Sequence, residues 1–368
     1  MIYLDSAATS LLKPESVSYA VSRALWQMAS PGRGAYAPAM LAADTVFRCR
    51  ESAAELFHVD SPDQVVFTMN ATHALNMAIF SLGKPGSRVV ISGFEHNSVT
   101  RPLHALGAKI RVAGRKLFAP EDTLAQFQKL LPGADYAVCT YVSNAFGYIL
   151  PIGEIAALCR REGVPLVIDA SQAAGILDLD MQKLGAAFAA MPGHKGLMGP
   201  QGTGILLCAA DTKPLLHGGS GSDSRLQEMP NYLPDQLEAG TQNVCGIAGL
   251  LAGIEYVKRV GTKEIFAREE AFLEQSIEIL RGSGWELYAA GNGTQSGVLS
   301  LRSGHMDPEQ AAEKLSSEGI CVRAGLHCAP LAHESAGTLE TGTLRMSFSP
   351  LLTESDIAEA CAIIRRLR

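Results

Sequence analysis

The feature that most constrains the fold is an alternation of short apolar runs with longer segments of helical pattern. Seven such runs stand at residues 65–68, 89–92, 109–112, 136–142, 165–169, 187–191 and 204–208. Several are apolar at nearly every position, which is typical of strands buried on both faces. Most gaps between them are long enough for a crossover helix. The alternation therefore predicts an α/β domain with a mainly parallel seven-stranded sheet and helices on both faces.

The chain after residue 215 has a different pattern. Residues 216–241 are rich in Gly, Ser and Pro, and they form either a linker or a long ordered loop beside a site. A helical segment at 245–258 follows. Further strands are predicted, alternating with helices, at 298–301, 320–323 and 343–347.

Two helix-start signals support an α+β arrangement of this second part. Asp307 and Pro308 provide an N-cap and a first-turn proline for a helix that runs to about residue 317. Thr353 and Asp356 form a variant of the capping box. We therefore expect two domains, a large α/β domain and a smaller α+β domain, which cover residues 15–255 and residues 1–14 with 256–368.

Composition and charge exclude several classes of function. The 368 residues are 47% hydrophobic and 18% charged, which excludes a disordered chain. The net charge of -6 gives no basic field for nucleic acid, and no run of about 18 apolar residues predicts a membrane span. The eight cysteines include no Cys-x-x-Cys pair, and no signal-peptide pattern precedes Asp5. We expect reduced thiols and a cytoplasmic protein.

A glycine-rich segment carries the first candidate catalytic residue. Residues 191–204 read MPGHKGLMGPQGTG, in which Lys195 follows an apolar run. The glycines permit a close backbone approach, and a lysine held in such a site forms a Schiff base once its ammonium loses a proton. An ordinary solvated lysine in a surface turn is the alternative.

Other polar residues follow the ends of predicted strands, where open α/β sheets bind ligands. Asp169 ends the run at 165–169; it is placed either to keep a pyridine nitrogen protonated or to cap the next helix. Asn70, Ala71 and Thr72 open a helix, so their N–H groups and the Thr72 hydroxyl suit a phosphate. The glycine spacing fits neither a Walker loop nor a dinucleotide fingerprint, so neither ATP nor a nicotinamide cofactor is indicated.

Three further residues have both a binding and a structural interpretation. His96 and Asn144 follow the runs at 89–92 and 136–142, and each is either a ligand contact or a structural residue of a turn. Arg345 lies inside an otherwise apolar strand, so it needs an anionic partner, for which a substrate carboxylate is suitable.

The C-terminal part carries a thiol in a loop. The sequence RAGLHCAP places Cys328 beside His327 and near Arg323. Cationic neighbours favour the thiolate and a loop gives it reach, whereas the other cysteines lie in apolar patterns. A zinc site made of His327, Cys328 and His333 is the alternative, although it lacks an evident fourth ligand.

Together these segments resemble the cysteine desulfurases, within the class V aminotransferase group of pyridoxal 5'-phosphate (PLP) enzymes. The resemblance runs nearly end to end and depends on the order and spacing of the motifs Tyr3-Leu-Asp-Ser-Ala-Ala-Thr9, Ala71-Thr72, Glu95-His96, Val142-Ser-Asn144, Asp169-x-x-Gln172, Gly193-His-Lys195, Glu238-x-Gly-Thr241 and Arg323-x-Gly-x-His-Cys-Ala329. The last motif is similar to that of the second desulfurase group, which includes selenocysteine lyases. The resemblance implies a PLP-dependent transferase fold of type I.

The resemblance also implies cofactor contacts. Lys195 would hold PLP through a Schiff base and later move the substrate α-proton, while Asp169 pairs with the pyridinium nitrogen. His96 would stack on the ring and help in proton transfer, and Gln172 would contact the ring hydroxyl oxygen. The phosphate would be bound by Ala71, Thr72, His194 and, across a dimer interface, Thr241.

The substrate and partners follow from the same resemblance. Asn144, Arg345 and Arg323 would bind the carboxylate of L-cysteine, and Cys328 would take its sulfur as a persulfide, leaving L-alanine. We expect a homodimer that passes sulfur to a protein acceptor, for example in iron–sulfur cluster assembly, without metal, nucleic acid or membrane.

Other activities stay open. Selenocysteine lyase or cysteine-sulfinate desulfinase activity on the same scaffold is the nearest alternative. Another class V reaction, such as transamination, and a non-catalytic sulfur-carrier scaffold are the others.

One position departs from the family pattern. The second desulfurase group has Ser or Thr two residues before the His of Ser-x-His-Lys, and that hydroxyl binds the phosphate. This chain has Pro192 there, which offers neither a hydroxyl nor an N–H. We expect this phosphate contact to be lost or replaced.

Overall fold

The computed structural model describes residues 1–32, 34–291 and 293–367, so Arg33, Asn292 and Arg368 lie outside the description that follows. In chain order the strands β1 to β13 are Ile2–Tyr3, Val65–Thr68, Arg88–Ser92, Lys109–Ala113, Tyr136–Thr140, Leu166–Asp169, Phe188–Pro192, Gly204–Cys208, Trp285–Tyr288, Val298–Ser303, Ile320–Cys321, Arg323–Gly325 and Thr343–Ser347. The helices α1 to α12 are Glu15–Gln27, Ala37–Phe57, Ala71–Leu82, Asn97–Ala105, Pro120–Leu130, Ile152–Glu162, Met181–Leu184, Val244–Val260, Thr262–Leu280, Pro308–Ser317, Pro330–Ala336 and Glu354–Arg366.

The seven predicted strands form one sheet in the order β2-β8-β7-β6-β5-β3-β4. β8 runs in the direction opposite to the other six strands, so the prediction of a mainly parallel sheet is confirmed. Successive residues of β6 enter different cores: Leu166 and Ile168 pack with α2, α5, α6 and α8, whereas Val167 packs with α3 and α4. Helices therefore cover both faces, and this burial explains the continuous apolar runs.

A second, antiparallel sheet has the order β12-β13-β10-β9. Its core also contains residues of α9, α10 and α12, and the N-terminal residues Ile2 and Leu4 belong to it. The division into domains at residues 15–255 stays a proposal, which this shared core of the chain's two ends supports.

Several local predictions are confirmed and one is wrong. The side chain of Asp307 caps α10, and Thr353 with Asp356 forms the capping box of α12. The single strand expected at 320–323 is two strands, because β11 pairs with β1 while β12 pairs with β13. That split depends on a partner at the far end of the chain.

The stretch rich in Gly, Ser and Pro is a long loop and not a linker. No helix or strand is formed between residues 209 and 243. Leu237 is nevertheless buried in the core under α3, and Glu238 forms a buried ion pair with Arg50. The loop is thus attached to the sheet at its C-terminal end.

Among the helices of the described chain, none combines the length and the apolarity needed to cross a bilayer.

Candidate active site

A cavity of about 200 Å³ lies where the carboxyl ends of β5, β6 and β7 meet the start of α3. It brings together most of the predicted site residues, namely Ala71, Thr72, His96, Asn144, Asp169, Gln172, His194 and Lys195. Strand-end placement brings these residues to one cavity, as expected for an open α/β sheet, and their roles stay predictions.

Asp169 presents one carboxylate oxygen to this cavity. Its side chain is 3% exposed, and Oδ1 accepts hydrogen bonds from the Ser171 backbone N–H at 2.9 Å and from the Ser171 hydroxyl. No described residue donates to Oδ2. The residues after Asp169 form turns and not a helix, so the helix-cap alternative does not hold. The arrangement fixes one oxygen and leaves the other available to a cationic N–H.

Lys195 lies in a close-packed glycine segment and not in an open surface turn. A Cβ added at Gly196 would stand 2.4 Å from the Ala174 carbonyl oxygen, so the backbones approach too closely for any other residue. Burial lowers the pKa of Lys195 to about 8, and the Asp169 carboxylate partly opposes this shift. About one in ten amines is then neutral at pH 7. The solvated-lysine alternative is wrong.

His96 is held as one tautomer by residues of its own helix start. Its Nδ1 accepts from the Ser98 backbone N–H at 3.0 Å, so the ring proton must lie on Nε2. The Ser98 hydroxyl, 2.9 Å away, then donates to the same Nδ1 and accepts from the Thr72 hydroxyl at 2.7 Å. Burial lowers the pKa of His96, so the ring is neutral at pH 7.

The start of α3 leaves backbone donors free. Asn70 caps the helix through a 2.9 Å hydrogen bond from the His73 N–H to its Oδ1. No described residue accepts a hydrogen bond from the backbone N–H of Ala71 or of Thr72. Both residues line the cavity, so these free donors suit a phosphate. Pro192 lines the same cavity without offering a donor, so the departure noted in the sequence is present in the site.

His194 also lines the cavity. Its Nδ1 lies 3.0 Å from the Thr9 hydroxyl. Burial, with the nearby cations Lys195 and Lys13, lowers the pKa of His194 to about 4. The ring is therefore neutral at pH 7, so it can offer a ligand in the cavity hydrogen bonds but no positive charge.

Gln172 ties the cavity floor to the N-terminal segment. Its Nε2 donates to the Ala7 carbonyl oxygen at 3.0 Å, and its side chain is 8% exposed. This bond explains why a motif at residues 3–9 belongs to a site built mainly on the large sheet.

Thr241 is the predicted cofactor-binding residue that does not line this cavity in a single chain. It is exposed and lines a separate cavity of about 210 Å³ beside His73. Its loop is anchored by Glu238, whose Oε1 accepts from Arg50 Nη1 at 2.8 Å and from the Phe67 N–H at 2.6 Å.

Arg345 and Arg323 share an anionic partner, Asp5, that their sequence neighbours do not indicate. Arg345 is 2% exposed, and its Nη2 donates to Asp5 Oδ1 at 3.0 Å, while Nη1 donates to the Asn144 carbonyl at 2.8 Å. Arg323 Nη2 donates to Asp5 Oδ2 at 2.8 Å. Neither guanidinium lines the cavity of about 200 Å³. Their role toward a substrate carboxylate stays a prediction, and Asp5 is the anionic partner that Arg345 required.

Cys328 lies in a short, fixed connection between β12 and α11. His327 and Cys328 both have positive φ, at 51° and 54°. The Asn144 Nδ2 donates to the His327 carbonyl at 2.7 Å, and the Asn97 N–H donates to the Cys328 carbonyl at 2.8 Å. The thiol is exposed to a neighbouring cavity of about 450 Å³, which shares Thr72, His96 and Ser98 with the first one.

His327 is not the cation expected beside the thiol. Its Nδ1 lies 3.3 Å from His333 Nε2, and the two rings stack with centroids 5.5 Å apart. Burial lowers the pKa of His327 to about 2 and that of His333 to about 4, so both are neutral. Arg323 is the nearby cation. No group of three His, Cys, Asp or Glu side chains in the described ranges could hold a metal, so the zinc alternative has no support.

The aminotransferase class-V profile matches residues 2–359. The chain belongs to the aminotransferase class-V family. A probable cysteine desulfurase of Methanothermobacter thermautotrophicus is 33% identical over 97% of this chain and 92% of its own length.

Solved structures agree with this assignment. The apo cysteine desulfurase of Thermococcus onnurineus NA1 superposes with a TM-score of 0.91 at 30% identity, covering 99% of this chain and 94% of that one. The cysteine desulfurase CsdA of Escherichia coli gives 0.85 at 25% identity, over 99% and 94%. The resemblance to cysteine desulfurases in the sequence is confirmed.

Three residues of this class V site were not singled out from the sequence. Ser98 lies two positions after His96, Ser171 lies two after Asp169, and Asp5 is part of the N-terminal motif. The serines could have been found by asking which neighbour orients each candidate side chain, since short polar residues two positions on bond back to it. Asp5 carries no local signal, because its arginine partners are more than 300 residues away.

Replacing Ser98 with alanine should raise the pKa of His96. The variant removes one of two donors to Nδ1, and these donors stabilise only the neutral ring; the loss is worth about 1 kcal/mol. An NMR pH titration of His96 measures the shift. Ser98→Thr, which keeps a hydroxyl, is the matched control. An unchanged titration in Ser98→Ala would show that the hydroxyl does not donate to this ring.

Replacing Asp5 with asparagine should lower the free energy of unfolding by about 3 kcal/mol, because it leaves the Arg345 guanidinium buried without its anion. Urea unfolding of both proteins measures the loss. Asp135→Asn breaks an exposed pair with Arg88 and should cost much less, because solvent screens that pair. Equal losses in the two variants would contradict the buried-pair account.

Proposed function

We propose that this class V protein is a cysteine desulfurase that converts L-cysteine to L-alanine and retains the sulfur as a persulfide on Cys328. One observation carries the proposal. Cys328 and the pair Lys195–Asp169 lie in adjoining cavities, and His96 belongs to the wall between them. A substrate held in the first cavity thus has a proton-transferring amine on one side and a thiol on the other.

Pyridoxal phosphate fits the groups that line the first cavity. Asp169 Oδ2 is free to pair with a pyridinium N–H, the N–H groups of Ala71 and Thr72 are free for the phosphate, and His194 adds a neutral donor. When bound, the cofactor supplies an electron sink that labilises bonds at the substrate α-carbon. Pro192 has neither a hydroxyl nor an N–H to donate, so the phosphate would depend on the start of α3 and on His194.

The chain's own groups provide proton transfer and the nucleophile. Lys195, with its lowered pKa, takes the substrate α-proton as a neutral amine. His96 presents its Nε2–H to the same space. Cys328 Sγ attacks the substrate sulfur: the S–S bond forms, the substrate C–S bond breaks, and its electron pair returns to carbon.

Substrate binding falls to Asn144 and to the two arginines. Arg345 Nε is buried and has no hydrogen-bond partner in the described chain, so it is a free donor for a carboxylate. Asn144 Nδ2 has a second N–H beyond the one that it donates to the His327 carbonyl, whereas its unpartnered Oδ1 only accepts and suits the substrate ammonium. Arg323, about half exposed, joins them through Asp5. We assign these groups to the carboxylate end of L-cysteine.

A homodimer completes the site. Thr241 is exposed and lies outside the cofactor cavity of its own chain, which supports its use by a partner's phosphate site.

All eight cysteines are free, which supports a cytoplasmic location. We place the enzyme in sulfur supply, for example to iron–sulfur cluster assembly, through a protein acceptor.

The test is a product assay of the PLP-loaded protein with reductant. L-Cysteine should yield alanine and sulfide in equal amounts, and L-selenocysteine is assayed in parallel. Turnover of selenocysteine alone would make the protein a lyase and overturn the proposal. Amino-group transfer that depends on a 2-oxo acid, without sulfide, would overturn it as well.

A further inference from the structure

The cavity in front of Cys328 is lined by groups that bind anions. It has a volume of about 450 Å³, and besides the thiol it contains the Arg101 guanidinium and the amides of Asn76 and Asn97. None of the described residues that line it is acidic. A cavity with one cation, several neutral hydrogen-bonding groups and no carboxylate favours a negatively charged ligand.

Arg101 has no hydrogen-bond or ion-pair partner in the part of the chain that the structure describes. It is exposed on α4. Its charge nevertheless acts on the site, since it is one of the groups that lower the pKa of His96 in the shared wall. A cation that neighbours a reactive thiol and has no internal anion is available to an anion from outside.

The backbone around the thiol is fixed. The carbonyls of His327 and Cys328 are each held by a hydrogen bond, from Asn144 and from Asn97. A persulfide on Cys328 therefore starts from a defined position, and an acceptor that enters this cavity can meet it there.

We propose that this cavity is an acceptor site and that it takes a small thiol bearing a carboxylate, which Arg101 binds while the thiol faces Cys328. The inference rests on the proposed function, and it adds a small-thiol acceptor to the protein acceptor proposed there. The acceptor thiolate attacks the outer sulfur of the Cys328 persulfide and forms a new S–S bond. The bond between that sulfur and Cys328 Sγ breaks, and its electron pair leaves on Sγ as thiolate, so no oxidant or reductant is needed.

The experiment compares acceptors that differ in charge. PLP-loaded enzyme is first charged with one equivalent of L-cysteine, and the alanine released measures the persulfide formed. 3-Mercaptopropionate, 2-mercaptoethanol and cysteamine are then added separately, and each rate of persulfide loss is divided by its thiolate concentration. The wild type should prefer the carboxylate thiol over the neutral one by about three- to tenfold, with the cationic thiol slowest.

Variants separate Arg101 from general charge effects. Arg101→Gln should abolish the preference, so that the anionic and neutral thiols react at equal rates, and Arg101→Lys should retain most of it. Arg268→Gln, which removes an exposed arginine of α9, is the matched control and should behave as the wild type.

Each outcome has one meaning. A wild type without charge preference, or an Arg101→Gln variant that keeps it, overturns the inference. Loss of persulfide to none of the three thiols also overturns it and indicates a macromolecular acceptor. Absence of both alanine and persulfide in the charging step contradicts the proposed function instead.

Discussion

Replacing Cys328 with alanine should slow the formation of alanine from L-cysteine by at least about 10³-fold while cofactor binding stays intact. The substrate sulfur then has no nucleophile to attack it. The residue is exposed and its loop is held through backbone carbonyls, so removing the sulfur disturbs little packing. Alanine release and the visible absorbance of the bound cofactor are measured on the same preparation.

Cys321→Ala is the control for this change. Cys321 is a partly buried thiol at the end of β11, seven residues before Cys328, and it lines neither site cavity. It should keep wild-type rates. The rate of alanine formation from selenocysteine should fall less in Cys328→Ala than the rate from cysteine, because selenide leaves more easily. Undiminished alanine formation from L-cysteine would remove Cys328 from the mechanism.

The central sheet could be predicted from the sequence because of how its strands are buried. Residues of β6 alternate between two apolar cores, so every position must be apolar and the run stands out. The same sheet topology brings the carboxyl ends of β5, β6 and β7 to one edge. Polar residues at the ends of those strands, such as Asp169 and Lys195, therefore lie in one cavity, as the strand order alone predicts.

The remaining features depend on contacts that leave no local signal. The division of residues 320–323 into two strands requires β1, which comes from the other end of the chain. The neutrality of His327 results from burial against His333, which its sequence neighbours do not indicate. The pairing of Asp5 with two arginines is likewise visible only in three dimensions.

Thr241 illustrates a further limit. The family resemblance points to its motif, whereas in a single chain the residue lies beside another cavity. The structure of one chain gives the position of Thr241, whereas its contact with a cofactor phosphate requires a second chain.

Replacing Lys195 with alanine should abolish covalent attachment of pyridoxal phosphate and slow alanine formation by at least about 10³-fold. No other described lysine lines the cavity of about 200 Å³, so no amine can substitute for it. Attachment is measured by borohydride reduction followed by peptide mass analysis. Lys13→Ala is the matched control, since burial also lowers the pKa of Lys13 to about 8 although it lies outside that cavity.

The pH dependence of attachment gives a second test of Lys195. Only the neutral amine reacts, and its pKa is lowered to about 8. The attachment rate of the cofactor-free protein should therefore rise about fivefold between pH 7 and pH 8 and level off soon above that. A solvated lysine would instead give a rate that keeps rising about tenfold per pH unit toward pH 10. A steady rise of that kind, or attachment that moves to Lys13 with activity retained, would contradict the assignment of Lys195.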